Sequence, residues 1–331
     1  MIVGIDLGGT KTRVVVESGG QTVRDTAVPT RSWQRGELLD DEGNTGRLLD
    51  LVHDLDGSRT ASIAIGAHGL DSDWQVREFT ARMSAQHAGS ILAVNDVELV
   101  APAAGLDHAI AVIVGTGSKV VGHAEDGSTV NAGGHGFLLS DPGSAASLAR
   151  DGVKALLDAY DLGEKPDRLA EEFMGHFGVS DIVELSYAFS ADARLATWAP
   201  LAPLVFTAAD AGSTLAATVI DESAATLARD VGRVHARGAV GTSVICAGGV
   251  ITNQPRLYRA LARHIDDLGL GLTVELLTVA PVVGAVALAR RLPFAGIVPP
   301  APVPHNRAES HDPHNLHDPK AESTITTAQS N

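Results

Sequence analysis

Twice in this chain an apolar run breaks on a glycine-rich turn and then resumes: VGIDLGGTKTRVVVE at 3–17 and IAVIVGTGSKVVGHA at 110–124. Each copy reads as strand, turn, strand, a buried β-hairpin with little side-chain bulk at its tip. A turn of that kind offers backbone N–H groups to an anion such as phosphate. In the first copy Thr10, Thr12 and Lys11 add donors to those of Gly8 and Gly9, and Asp6 ends the leading strand where a carboxylate can hold magnesium. Gly115, Thr116, Gly117 and Ser118 form the second turn. Neither turn is a Walker A loop, which needs Gly-Lys-Ser/Thr entering a helix, nor a GxGxxG fingerprint. The repeat suggests two duplicated halves that face one nucleotide across a cleft.

The rest of the chain fits an α/β arrangement. A third strand is expected at 22–28, a loop at 29–44, an amphipathic helix at 46–55 and a strand at 61–67 that runs into His68-Gly69-Leu70-Asp71. A strand at 91–94 ends on Asn95-Asp96, and 97–104 reads as a helix kinked at Pro102. After the second hairpin, 131–140 is a glycine-dense loop, followed by a helix start at Asp141-Pro142-Gly143-Ser144. Helices are expected at 145–160, 167–177, 182–189 and, as one long stretch, 201–236. A buried strand at 243–247 breaks on Gly248-Gly249; then come a helix at 255–268, a strand at 272–279 and a last helix at 281–291. From 299 to 331 the composition turns to Pro, His, Asp, Ser and Thr, which reads as a disordered tail whose His305, His311, His314 and His317 lack a scaffold for metal.

Composition narrows the function. Asp and Glu number 40 against 25 Lys and Arg, a net charge of −15, which argues against nucleic acid or an anionic membrane surface as partner. Cys246 is the single cysteine, so one subunit supplies no disulfide, cysteine zinc site or iron–sulfur cluster. No run of eighteen apolar residues appears, and Asp6 interrupts the apolar stretch a signal peptide requires, so the expected location is cytoplasmic.

DLGGTKT, the Asn95-Asp96 strand end, VGTGS, GGHGFLLSDPGS and AGGV occur in this order over about residues 1–295. Together they resemble the sugar kinase/actin/heat-shock-chaperone ATPase superfamily, and within it the BadF/BadG/BcrA/BcrD-type ATPases, a family that includes N-acetylglucosamine kinase. The resemblance implies two duplicated actin-like (ribonuclease H-like) α/β ATPase domains with a nucleotide cleft between them. It places the first at 1–107 and the second at 108–280, with the final helix at 281–292 packing back on the first. It implies ATP with Mg2+ as cofactors, a small-molecule sugar as substrate, and room for a homodimer.

Motif by motif, the resemblance makes Asp6 the magnesium-associated aspartate and Asp96 the catalytic base. Thr10 and Thr116 become ATP-phosphate contacts, and Gly248 and Gly249 the adenosine-site glycines, with Gly212 near them. Gly134, His135 and Gly136 fall on a Gly-Trp-Gly sugar loop, and Asp141 on the aspartate that holds sugar hydroxyls. Arg31 and Ser32 fall where N-acetylglucosamine kinases hold the sugar with an asparagine. The departures, His135 for tryptophan, Pro142 for glutamate and Arg31 for asparagine, all concern the acceptor pocket. The expected function is thus an ATP-dependent kinase of an amino sugar or related hexose. The alternatives are a non-kinase ATPase of the BadF/BadG type and a sugar- or nucleotide-binding regulator. Lone Cys246 cannot replace the paired cysteines of the acyl-CoA dehydratase activators. A hairpin beginning at Met1 leaves no room for the helix-turn-helix leader of the repressor relatives.

Overall fold

The hairpin that opens the chain lies in the middle of a sheet. In the computed structural model, which describes residues 1–56 and 61–293, β1 (Ile2–Leu7) pairs antiparallel with β2 (Lys11–Ser18), and β2 with β3 (Gln21–Pro29). Helix α1 (Gly43–Asp56) then leads to β4 (Ser62–Ala67), and α2 (Asp73–Ser84) to β5 (Ile91–Asn95). Strand β4 lies parallel to β1 and β5 parallel to β4, giving the order β3-β2-β1-β4-β5. Strand β4 is buried along its whole length, which is why its sequence is an unbroken small and apolar run.

The second sheet repeats this plan. Strands β6 (Ile110–Val114), β7 (Ser118–His123) and β8 (Thr129–Gly133) form an antiparallel meander, while β9 (Ser243–Ala247) and β10 (Thr273–Leu276) add in parallel. The order β8-β7-β6-β9-β10 is that of the first sheet with each strand replaced by its counterpart. The duplication expected from two hairpins therefore extends to all five strands.

The helices that follow β8 carry the larger core. They are α4 (Ala145–Asp161), α5 (Arg168–Phe177), α6 (Ile182–Ser190), α7 (Leu195–Trp198), α8 (Ala202–Asp210) and α9 (Thr214–Ala236). Phe173, Phe189 and Trp198 pack with Leu148 and Val205 there. After β9 come α10 (Gly249–Asn253) and α11 (Pro255–Asp266); after β10 comes α12 (Val282–Arg290).

Between the sheets sits a wedge made of the 3-10 turn Asp96–Leu99, the short α3 (Val100–Ala103) and α12. Val97 and Val100 pack against Ala111, Val121 and Ile245 of the second sheet, while Val282 and Val286 of α12 pack on Val15 of the first. The backbones approach closely. A Cβ on Gly284 would lie 2.0 Å from the Leu99 carbonyl oxygen, and one on Gly66 would lie 2.3 Å from the Leu99 side chain. Fully burying a leucine such as Leu99 is worth about 1.5–3 kcal/mol, so the turn that carries Asp96 is firmly anchored.

Four local expectations need correction. Helix α2 was not expected, because only Phe79 and Met83 on it are buried; its signal was the Ser72 N-cap, which accepts from the Gln75 N–H. The start of the glycine-dense segment is an edge strand, β8, paired with β7. The single helix expected at 201–236 turns by 117° between α8 and α9, where Gly212 takes φ +94°. The segment at 97–104 is a 3-10 turn followed by one α turn, with Pro102 near the start of α3, where its missing N–H costs little. The expected tail at 299–331 lies outside the described residues.

Candidate active site

The two glycine turns meet at one cleft of about 770 Å³. Gly9 and Thr10 line it from the first sheet, and Gly115, Thr116, Gly117 and Ser118 from the second. Asp96 lies on its wall beside Asn95, and the opposite wall is built by Gly134, Gly136, Phe137, Asp141 and Leu195.

The first turn is shaped from behind. The Gly8 N–H donates to the Lys11 carbonyl (3.0 Å), and the Thr30 hydroxyl donates to the Gly8 carbonyl (2.7 Å). Thr12 shares a hydrogen bond with Thr30 (3.0 Å) and accepts from the Trp33 indole N–H (3.0 Å). Thr12 is therefore a buried brace for the turn, and its hydroxyl is not a ligand donor. The same network corrects the reading of Arg31 and Ser32. Neither lines the cleft: Arg31 is exposed, and the Ser32 hydroxyl donates to the Pro29 carbonyl (2.6 Å). What this segment brings to the site is Thr30 and Trp33, which hold the turn. The sequence points to Arg31 and Ser32, the exposed pair between Thr30 and Trp33, and no local pattern marks the brace itself.

The second turn is tied to the acceptor loop. The Gly115 N–H donates to the Gly117 carbonyl (2.8 Å), Ser118 Oγ donates to the Pro142 carbonyl (2.9 Å), and the Ala145 N–H donates to the Gly115 carbonyl (2.9 Å). Gly248 backs this turn at φ +105°, where an added Cβ would sit 2.5 Å from the Val114 carbonyl oxygen; no other residue fits. A Cβ on Gly115 would lie 3.5 Å from the Gly249 N–H, so the AGGV break is adjacent to the second turn. Neither Gly248 nor Gly249 lines the cavity, and Gly212 stands at the α8–α9 corner away from it.

Three carboxylates define the electrostatics. Burial, and then the charge of Asp96, push Asp6 up to about 6, against the pull of Lys11 and Arg13. Burial also raises Asp96, opposed first by His68 and then by the Val97 N–H. The N-cap of the Asp96–Leu99 turn is Asn95, whose Oδ1 accepts from Val97 N–H (3.2 Å), so Asp96 is not used as the cap. Asp141 is 6% exposed and sits at φ +59°, the one non-glycine residue with positive φ among those described. Its Oδ1 accepts from the Gly136 N–H (3.1 Å), and burial raises it. Ser144, not Asp141, caps α4. A carboxylate that is buried, backbone-strained and free of capping duty is a functional candidate.

His68, Asp71, Lys119, Phe137 and Leu195 also line the cleft, though none was a sequence-predicted site residue. Their common signal was position next to a motif: His68 and Asp71 follow β4, Lys119 follows the second turn, and Phe137 ends the glycine loop. His135 is exposed and does not itself line the cleft, while Gly134 and Gly136 on either side of it do. Lys11 and Gly8 stand outside it as well.

The sequence profile of the BadF/BadG/BcrA/BcrD ATPase family matches residues 3–289. The chain belongs to this family. Among curated proteins it is 25% identical over 285 residues to an N-acetylmuramic acid/N-acetylglucosamine kinase of Clostridium acetobutylicum, covering 80% of this chain and 90% of that protein. It is 25% identical over 245 residues to an N-acetyl-D-glucosamine kinase of Dictyostelium discoideum, covering 68% and 76%. The fold is shared with a Chromobacterium violaceum protein assigned as an N-acetylglucosamine kinase, at TM-score 0.64 and 22% identity over 87% of this chain and 98% of that one. It is also shared with a ROK-family glucokinase from Streptomyces griseus, solved with glucose and AMPPNP, at TM-score 0.53 and 15% identity over 87% and 98%. Among the described residues, no single helix is long and apolar enough to cross a membrane.

Proposed function

We propose that this ATPase-family protein is an ATP-dependent kinase that phosphorylates an amino sugar or related hexose. The observation that carries the reading is the lining of one cleft: two glycine turns suited to phosphates, a half-buried carboxylate in Asp96, and a second carboxylate in Asp141 on the wall opposite the first turn. A bare ATPase needs no acceptor wall, and a binding-only regulator needs no base.

Phosphoryl transfer asks a protein for positioning and charge neutralisation. In this reading the N–H groups of Gly9, Thr116 and Gly117 hold phosphate oxygens, with the Thr10 and Thr116 hydroxyls beside them. Gly248 and Gly249 support the nucleoside end, with Lys11 and Gly212 at the periphery. Asp141 and the Gly134–Gly136 loop orient the sugar, and Asp96 takes the proton from the attacking hydroxyl, for which its raised carboxyl is well matched. The donor set near Asp6 fits magnesium: a half-buried carboxylate whose ionisation is disfavoured by burial and by Asp96 is one that a divalent cation would restore to its charged form. No cluster of three or more His, Cys, Asp or Glu exists among the described residues. That also suits an ion that takes most of its ligands from phosphates and water. When bound, magnesium would neutralise charge on the phosphates; Asp6 would hold it. The lobes of this reading are residues 1–107 and 108–280, with α12 returning to the first, in a cytoplasmic enzyme.

The test is ADP release with ATP and a panel of glucosamine, N-acetylglucosamine, N-acetylmuramic acid, mannosamine and glucose. Turnover that depends on one of these sugars supports the reading; ATP hydrolysis indifferent to all of them overturns it.

A further inference from the structure

Beyond the Asp71–Lys119 pair the cleft opens into a second polar groove of about 650 Å³. Asp71, Asn95, Val97 and Lys119 line both spaces, so the groove is an extension of the site and not a separate pocket. Its floor is one face of the β7–β8 hairpin. Strand alternation puts Lys119, Val121 and His123 on the same side of β7, and the register sets Asn131 opposite Val121 and Thr129 opposite His123. From Lys119 to His123 that face runs about 13 Å at 3.3 Å per residue. The facing wall comes from the first sheet, where Ser72 and Asp73 start α2.

The chemistry of this face is specific. Its two basic side chains are already engaged: Lys119 Nζ stands 3.9 Å from Asp71 Oδ1, and the His123 ring bonds Glu98 (3.1 Å). Asp73 adds negative charge, so an anionic ligand is disfavoured. Thr129 and Asn131 present a hydroxyl and an amide to the groove, and half-buried Val76 and Val94 supply apolar surface elsewhere in its lining. Neutral polar donors and acceptors with a small apolar surface suit a pyranose ring, which has hydroxyls around its edge and C–H groups on its faces.

We propose that the β7–β8 face is a second saccharide subsite, and that the acceptor is a disaccharide-sized amino sugar whose further ring lies against Thr129 and Asn131. This rests on the kinase reading of the cleft. The ring that receives phosphate sits between Asp96 and Asp141, and the linkage passes Lys119. Lys119 has an aliphatic stem against Gly134, where a Cβ would be 3.0 Å away, so it divides the two subsites.

The test compares matched acceptors, N-acetylglucosamine against its β-1,4-linked dimer and glucosamine against its β-1,4-linked dimer, in wild type and in the Asn131→Trp and Thr129→Trp variants. Both positions are exposed on an edge strand, so a melting curve verifies that the fold survives. The expected result is a KM at least tenfold lower for a dimer than for its monosaccharide. Either variant should erase that advantage while monosaccharide KM and kcat change less than twofold. A wild type that phosphorylates the monosaccharide with no gain for the dimer overturns the subsite and leaves the kinase reading standing. Equal losses on both acceptors in the variants also overturn it. A wild type that phosphorylates no sugar overturns both.

Discussion

Asp6→Asn should make the nucleotide-free protein more stable while removing its activity. In the fold Asp6 is pushed from 3.8 up to about 6, first by burial and then by the Asp96 charge. A carboxyl raised in this way binds its proton more tightly folded than unfolded, so stability is lost as pH rises from 3.8 to about 6 and stays low above that. At 1.36 kcal/mol per pH unit, the ionised side chain costs about 3 kcal/mol at pH 7. Asparagine keeps the shape and removes the charge. With unfolding entropy of about 2.1 cal/mol/K per residue, the variant should melt about 5 °C above wild type at pH 7.5 and within about 1 °C of it at pH 4. Differential scanning calorimetry at both pH values, without nucleotide or magnesium, measures the difference. A variant less stable than wild type at pH 7.5, or an offset of the same size at pH 4, would refute the reasoning. Magnesium with ATP should then raise the wild-type midpoint more than that of the variant, because the proposed function has Asp6 hold the ion.

Thr116→Val should weaken ATP by about 1–3 kcal/mol through loss of a phosphate donor, as read by titration calorimetry; unchanged affinity would leave the second turn only a structural role. Asp141→Asn preserves tolerance of φ +59° and should raise the acceptor KM at least tenfold with ATP affinity unaltered, whereas a parallel loss of both would place Asp141 in the nucleotide site instead. Glu98→Gln removes the partner that raises His123. The protonated pair contributes fully below the ordinary imidazole value of 6.5 and fades as pH rises through the raised one, so the variant should lose more stability to urea at pH 6 than at pH 9. Equal losses at the two pH values would show that the histidine charge is not involved.

The sequence exposed those parts of the fold that rest on local pattern. The two glycine turns with their β-branched flanks were legible because such runs have few other solutions, and the equality of strand order in the two sheets follows from them. Strand β8 was hidden because an edge strand can carry Thr129, Asn131 and Gly133 with only Val130 buried. The bend at Gly212 was hidden because helical periodicity continues on either side of it. At the site, Thr10, Asp96 and Asp141 were legible as polar residues in turns and at a strand end, and the fold brings all three to one cleft. Arg31 and Ser32 misled because the turn brace, Thr12–Thr30–Trp33, depends on packing across 18 to 21 residues that no local pattern encodes. His68, Asp71 and Lys119 reach the cleft through tertiary folding alone.

The most direct test of the account is Asp96→Asn, assayed for phosphoryl transfer to the best acceptor and for ATP affinity in the same preparation. The side chain has no capping duty, since Asn95 caps its turn, so the substitution should leave the fold intact. The account predicts a fall in kcat on the order of a hundredfold or more with the ATP dissociation constant unchanged. Turnover near that of wild type, or a loss of ATP binding that matches the loss of turnover, would contradict it.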